Sequence, residues 1–176
     1  MEKGSECTLK DMRFEYTINK KQSQKNKLHY FYLAEDKSLL YNKSGGDFSI
    51  LLGGNWRFEL MADSSTGKCV KYQSLLAKLR FQESVLCLPT SKRGEVFFKS
   101  NDELMYSSGC HYLPFEDKVY YDREKQIMCI GMKDRDGCAI EFTEGIIAVI
   151  NNQQLLAIYL NLKGIPLQLQ NWFQFI

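Results

Sequence analysis

The sequence predicts an all-β protein with little helix, built from two tandem, related antiparallel meanders packed as a barrel or a sandwich. Three observations carry this prediction. Apolar and polar residues alternate with period two along many short runs rich in aromatic and β-branched side chains. Gly, Asn, Asp and Ser interrupt those runs at close intervals. One order of apolar blocks also recurs along the chain. Such close spacing leaves no room for parallel crossovers of a dozen or more residues, and no long segment shows convincing helical periodicity.

The first strand is expected at 12–18, where Met12, Phe14, Tyr16 and Ile18 share the face to be buried and Arg13, Glu15 and Thr17 the other. Residues 19–27 are polar and carry Lys20, Lys21, Lys25 and Lys27, and residues 28–33 turn apolar and aromatic again. The two runs therefore read as a hairpin with a long basic tip. Further strands are expected at 38–41, 48–52, 56–62, 68–72, 75–81 and 85–88, separated by Gly45-Gly46, Gly53-Gly54-Asn55 and Ser64-Ser65-Thr66-Gly67, whose residues tolerate positive φ. Residues 73–88 also fit a helix through Leu75, Leu76, Leu79, Val85 and Leu86. A hairpin is preferred there, by analogy with 146–160, where a β-branched run, the turn Asn151-Asn152-Gln153-Gln154 and a second apolar run follow one another.

The analogy comes from an internal match. Residues 31–41 lie over 96–106 without a gap, Met61, Asp63, Gly67, Cys69 and Tyr72 match Met132, Asp134, Gly137, Cys138 and Phe142, and 75–79 matches 146–150. A unit of roughly 65 to 70 residues is longer than a solenoid repeat and suggests a duplicated meander. The organisation that follows is an N-terminal strand and basic tip at 1–27, a first β repeat at 28–92, a second at 93–163, and an apolar tail at 164–176 packing on the core. The boundary between repeats falls in the polar turn 89–94, which contains both Pro89 and Gly94. The first strand and the tail are expected to close sheet edges that would otherwise stay open.

Composition bounds the function. The chain has 176 residues, 44% hydrophobic and 13% aromatic, with a formal charge of +2. A disordered or collagen-like chain is excluded, and the charge is far from the concentrated basicity of a phosphate-backbone binder. Apolar runs such as 155–160 are one strand long, short of the ~20 residues that span a bilayer. Residues 1–10 lack the apolar stretch of a signal peptide, so a cytoplasmic location is expected. None of the six cysteines stands at C-x-x-C spacing. Cys87, Cys129 and Cys138 sit in or beside apolar runs, where a reduced thiol acts as a small hydrophobe.

Motifs for chemistry are sparse. Only His29 and His111 could serve a nucleophile. Cys110 and His111 form the reactive-thiol candidate, yet neighbours on a strand point to opposite faces, so they meet only if Ser107-Ser108-Gly109 bends the chain. No zinc spacing exists. Asp134-Arg135-Asp136-Gly137 shares part of a calcium-loop pattern but lacks its third acid and closing glutamate, and reads as a hairpin turn. The glycine pairs are not followed by a phosphate-cradling helix, and Asp102-Glu103 and Glu116-Asp117 lie in polar, solvated stretches. No metal or cofactor is expected, and the sequence points away from an enzyme.

Binding remains. Trp172, Phe173 and Phe175 either complete the core or form a partner-binding patch. The basic tip beside His29, Tyr30, Phe31 and Tyr32 offers a single-stranded nucleic-acid reading, which ranks third because alternation sends half of those aromatics inward. The leading expectation is a non-catalytic β protein that binds, and so sequesters or neutralises, a protein partner. The alternative is a small-molecule-binding β-barrel, with cysteine chemistry at Cys110.

Overall fold

A computed structural model describes residues 12–19, 30–33, 38–41, 46–53, 58–75, 80–101, 110–163 and 174–175. The described chain is all strand and turn, without helix. It runs β1 (Arg13–Ile18), β2 (Tyr30–Leu33), β3 (Ser38–Tyr41), β4 (Phe48–Leu52), β5 (Phe58–Ala62), β6 (Cys69–Leu75), β7 (Arg80–Glu83), β8 (Lys92–Lys99), β9 (Cys110–Leu113), β10 (Val119–Asp122), β11 (Ile127–Gly131), β12 (Cys138–Thr143), β13 (Ile146–Asn151), β14 (Gln154–Asn161) and β15 (Gln174–Phe175). Among the described residues no helix is long and apolar enough to cross a membrane.

The strands form two packed sheets that do not close into a barrel, so the sandwich alternative holds. The nine-stranded sheet has the order β1-β8-β12-β13-β14-β11-β10-β7-β15, and the six-stranded sheet the order β2-β3-β6-β5-β4-β9. Each sheet contains the same arrangement. β4, β5 and β6 form a meander with β3 beside β6 and β2 beyond it, and β12, β13 and β14 form a meander with β11 beside β14 and β10 beyond it; every pair in both sets is antiparallel. The strands related by this order begin at Tyr30, Ser38, Phe48, Phe58 and Cys69 and at Val119, Ile127, Cys138, Ile146 and Gln154. The sequence match of 31–41 with 96–106 instead lays β2 over β8, which has different neighbours, since among the described residues β2 pairs with β3 alone and β8 with β1 and β12. Tyr106 lies outside the described residues.

Alternation explains the shared core. Phe48, Ile50 and Leu52 of β4, Phe58, Leu60 and Ala62 of β5, Tyr72 of β6 and Val96 and Phe98 of β8 are buried. The Phe98 ring stands 5.7 Å from that of Phe48 in the opposite sheet and 5.6 Å from that of Phe14. Each such ring contributes ~1.5–3 kcal/mol by leaving water. The sheets also meet through backbone: Lys68 bridges Phe97, and the Phe98 N–H donates to the Gly67 carbonyl at 2.8 Å. Gly67 has φ +75°, and a Cβ there would lie 2.1 Å from the Phe98 carbonyl oxygen, so the seam requires glycine.

The central strands of the larger sheet are buried on both faces. Ile146, Ala148 and Ile150 face the main core, whereas Ile147 and Val149 join Ile127, Cys129, Ala157 and Tyr159 in a second cluster roofed by Leu86. Continuous rather than alternating apolar sequence at 146–150 is the consequence.

Several expectations are corrected. β1 and β2 lie in different sheets, so the basic segment between them joins two sheets and does not tip a hairpin. β6 and β7 are likewise in different sheets, and residues 84–91 form no strand, because Leu86 is drawn under the larger sheet. The supposed boundary turn 89–94 is partly strand, as β8 begins at Lys92. The turn with Asp134 at φ 58° links β11 to β12, which are separated in the sheet by β14 and β13, so it is not a hairpin turn. Parallel pairing occurs at four joins, β4 with β9, β8 with β12, and β7 with both β10 and β15. β1 and β15 cover the sides of β8 and β7 that would otherwise lie open, and themselves form the two ends of the larger sheet.

Candidate open edge at the first strand

Strand β1 pairs with β8 in register from Arg13 opposite Lys99 to Ile18 opposite Gly94. In an antiparallel ladder successive residues direct their N–H and C=O groups to alternate sides. Asn19 donates to the Arg93 carbonyl at 3.0 Å on the β8 side, while Phe14 donates away from β8, to the Gln153 carbonyl at 2.7 Å. Arg13, Glu15 and Thr17 therefore bond to β8, and Phe14, Tyr16 and Ile18 face outward. Among the described residues the outward groups of Tyr16 and Ile18 meet no hydrogen-bonding partner.

The side chains repeat this openness. Phe14 is buried, but Tyr16 is 39% and Ile18 43% exposed, although alternation put all three on the face to be buried. The core ends at Phe14 because β1 is an edge strand, with a neighbouring strand on one side only among the described residues.

Beside the edge lies a cleft of about 580 Å³, lined by Phe14, Glu15, Tyr16, Cys138 and the β13–β14 turn from Ile150 to Gln153. Asn152 and Gln153 have φ 47° and 63°, as a tight hairpin turn with two left-handed residues requires. That conformation presents the Gln153 carbonyl to Phe14. A hydrogen bond with Cys138, then the negative charge of that side chain when ionised, and last burial hold the Tyr16 phenol above its ordinary pKa. Charges nearby are paired: Arg13 with Glu15 at 3.1 Å, Arg93 with Glu141 at 3.4 Å, and Lys68 with Glu95.

The sequence-derived candidates lie elsewhere. Cys110 and His111 are consecutive in β9, opposite Ser49 and Ile50 of β4. The His111 ring packs 5.2 Å from the buried Phe48 ring, whereas Cys110 lies near Glu59, which accepts from the Ser49 hydroxyl. Strand alternation thus parts the two side chains, and burial, then the Glu59 charge, raises the Cys110 pKa and keeps it a thiol. Lys20, Lys21, Lys25, Lys27, Trp172 and Phe173 lie outside the described residues, and Phe175 is placed through its backbone only, paired with Phe81 of β7.

Asp63 forms a turn, its Oδ1 accepting from the Thr66 amide at 2.9 Å and the Ser65 amide at 3.1 Å. Among the described residues no three His, Cys, Asp or Glu side chains converge as a metal site. The sequence placed Tyr16 and Ile18 in the core because alternation marks a face as apolar without saying whether a partner sheet reaches it. The cleft joins residues from β1, β12 and the β13–β14 turn, and no local pattern signals that meeting. No known family model and no curated protein matches this chain.

Proposed function

We propose that the protein is a non-catalytic binding protein that recognises a protein partner through the open edge of β1. The reading rests on one observation: Tyr16 and Ile18 combine exposed side chains with outward backbone groups that pair with no strand among the described residues. Edge strands of this kind are pairing templates unless charge, proline or a covering segment blunts them. Co-purification and sizing of wild type beside Ile18→Lys tests the proposal. A complex present in wild type and lost in the variant supports it, and a complex indifferent to the variant refutes it.

The cleft favours a second reading. Its volume suits a small molecule, and Asn151, Asn152 and Gln153 set amide groups beside Ile150 and Cys138. A metabolite panel that raises the melting temperature of wild type but not of Cys138→Phe would favour that reading over the first.

A further inference from the structure

We infer that the strand received at this edge is β1 of a second copy of the chain, paired antiparallel about Thr17. The inference rests on the proposed binding role of the edge and names the occupant.

The outward groups are self-complementary in one register. With Thr17 on a two-fold axis, Tyr16 of one copy faces Ile18 of the other. Each such pair exchanges two N–H···O bonds, as hydrogen-bonded pairs of an antiparallel ladder do. All the open groups of Tyr16 and Ile18 are then satisfied, and none is needed from Phe14, whose N–H is already bound to Gln153. Centring the pair on Tyr16 would instead set Phe14 against Ile18 and require that same N–H.

Side chains agree with the Thr17 register. Tyr16 and Ile18, both exposed in the single chain, become an aromatic and β-branched cross-strand pair on each side of the axis, a favourable combination. On the other face Thr17 meets Thr17 and Glu15 meets Asn19, so no like charges oppose each other between positions 15 and 19. The paired Arg13 and Glu15 remain bonded within their own copy. The result is one continuous sheet across two copies, an isologous contact of closed symmetry.

Register can be read chemically. Thr17 opposite Thr17 is a non-hydrogen-bonded pair, with Cα atoms about 4.5 Å apart, within the span a disulfide bridges. The test uses the full chain with exposed Cys87 replaced (Cys87→Ser), with and without Thr17→Cys, treated with oxidised glutathione, which takes up the two protons and two electrons released by the paired thiols. The expected result is a cross-linked dimer for Thr17→Cys and none for Glu15→Cys, whose equivalents are too far apart across the axis. Light scattering of wild type should show the mass doubling as concentration rises, and Ile18→Pro should abolish the doubling. That change removes an outward N–H that meets no partner among the described residues; Ile18→Lys serves the same purpose if melting shows the proline variant to be unfolded. A wild type that stays monomeric, or no cross-link at Thr17→Cys, overturns self-pairing. If Ile18→Lys nevertheless abolishes a co-purified complex, the binding role of the edge stands with another protein's strand as occupant; if it does not, both readings fall.

Discussion

Replacing Asp122 should release the segment that roofs the outer face of the larger sheet. Asp122 lies at the end of β10 and is 6% exposed. Its carboxylate accepts the Leu86 N–H at 2.8 Å and the Lys125 N–H at 2.9 Å, and stands 3.7 Å from the Lys125 ammonium, which itself donates to the Leu86 carbonyl at 2.8 Å. Residues 84–91 have no ladder of their own, so these bonds hold Leu86 over Ile147, Cys129 and Tyr159. In Asp122→Ala the buried Leu86 N–H loses its acceptor, costing ~1–3 kcal/mol, and the half-buried Lys125 N–H, able to find water, loses ~1 kcal/mol. The expected destabilisation is therefore about 3 kcal/mol, or a fall in the urea midpoint of roughly 1–1.5 M at m about 2–3 kcal/mol per M. Asp122→Asn keeps an acceptor oxygen and should lose about half as much. The pH dependence has a definite sign. Burial raises the carboxyl pKa, but the Leu86 and Lys125 amides, the Lys125 ammonium and the Glu124 amide outweigh it and leave the group below the ordinary carboxylate range. A depressed folded pKa gives stability present above the unfolded value of about 3.9 and lost as pH falls through the folded value. The gap between wild type and Asp122→Asn should accordingly be constant near neutrality and narrow below about pH 4. A loss under about 0.5 kcal/mol in Asp122→Ala, the level of an ordinary surface change, would refute the anchoring role.

Other consequences are open to measurement. Gly94→Ala should detach β1, because a Cβ there would lie 2.0 Å from the Thr17 carbonyl oxygen; the Arg13, Glu15 and Thr17 amides should lose exchange protection while those of β13 and β14 keep it, and unchanged protection would contradict the packing. Cys87 is exposed and should label with a thiol reagent in the folded protein, whereas Cys69 and Cys129 are buried and should label only on unfolding; labelling of either at the rate of Cys87 would show the core to be open. Burial pushes Cys69 and Cys129 up to about 12 from 9.0. Raised folded values give stability that is full below the unfolded pKa and lost as pH rises toward the folded one, so stability should decline from pH 9 to 12, by up to ~1.4 kcal/mol per pH unit for each thiol. Cys69→Ala should reduce that slope, and an unchanged slope would assign the decline to other groups.

Strand chemistry was legible where it is local. Residues 38–41 and 48–52 form strands within the bounds that alternation gives, and the hairpin at 146–160 follows from a β-branched run before Asn152 and Gln153 and an apolar run after them. Pairing was not legible, because it depends on partners far along the chain. Nothing near 12–18 names β8 as its neighbour, and the short apolar run at 85–88 looks like a strand until Asp122 is seen to bind the Leu86 amide. The candidate edge was hidden for the same reason: Tyr16 and Ile18 carry the alternation of a core strand, but β1 has no second neighbouring strand among the described residues. Cys110 and His111 show the reverse, since sequence alone indicated that a straight strand would part them, and β9 is such a strand.

The two sheets exchange strands: β7, from the first half of the chain, lies in the larger sheet, and β9, from the second half, lies in the smaller one. A ribosome releasing this chain therefore cannot complete either sheet from the first half alone, since the smaller waits for β9 and the first strand waits for β8. Many contacts close long loops, which slows folding and leaves strand edges uncovered during synthesis. Neither half carries all the strands of a sheet, and a nick between β8 and β9 would yield two fragments that each need the other to complete one.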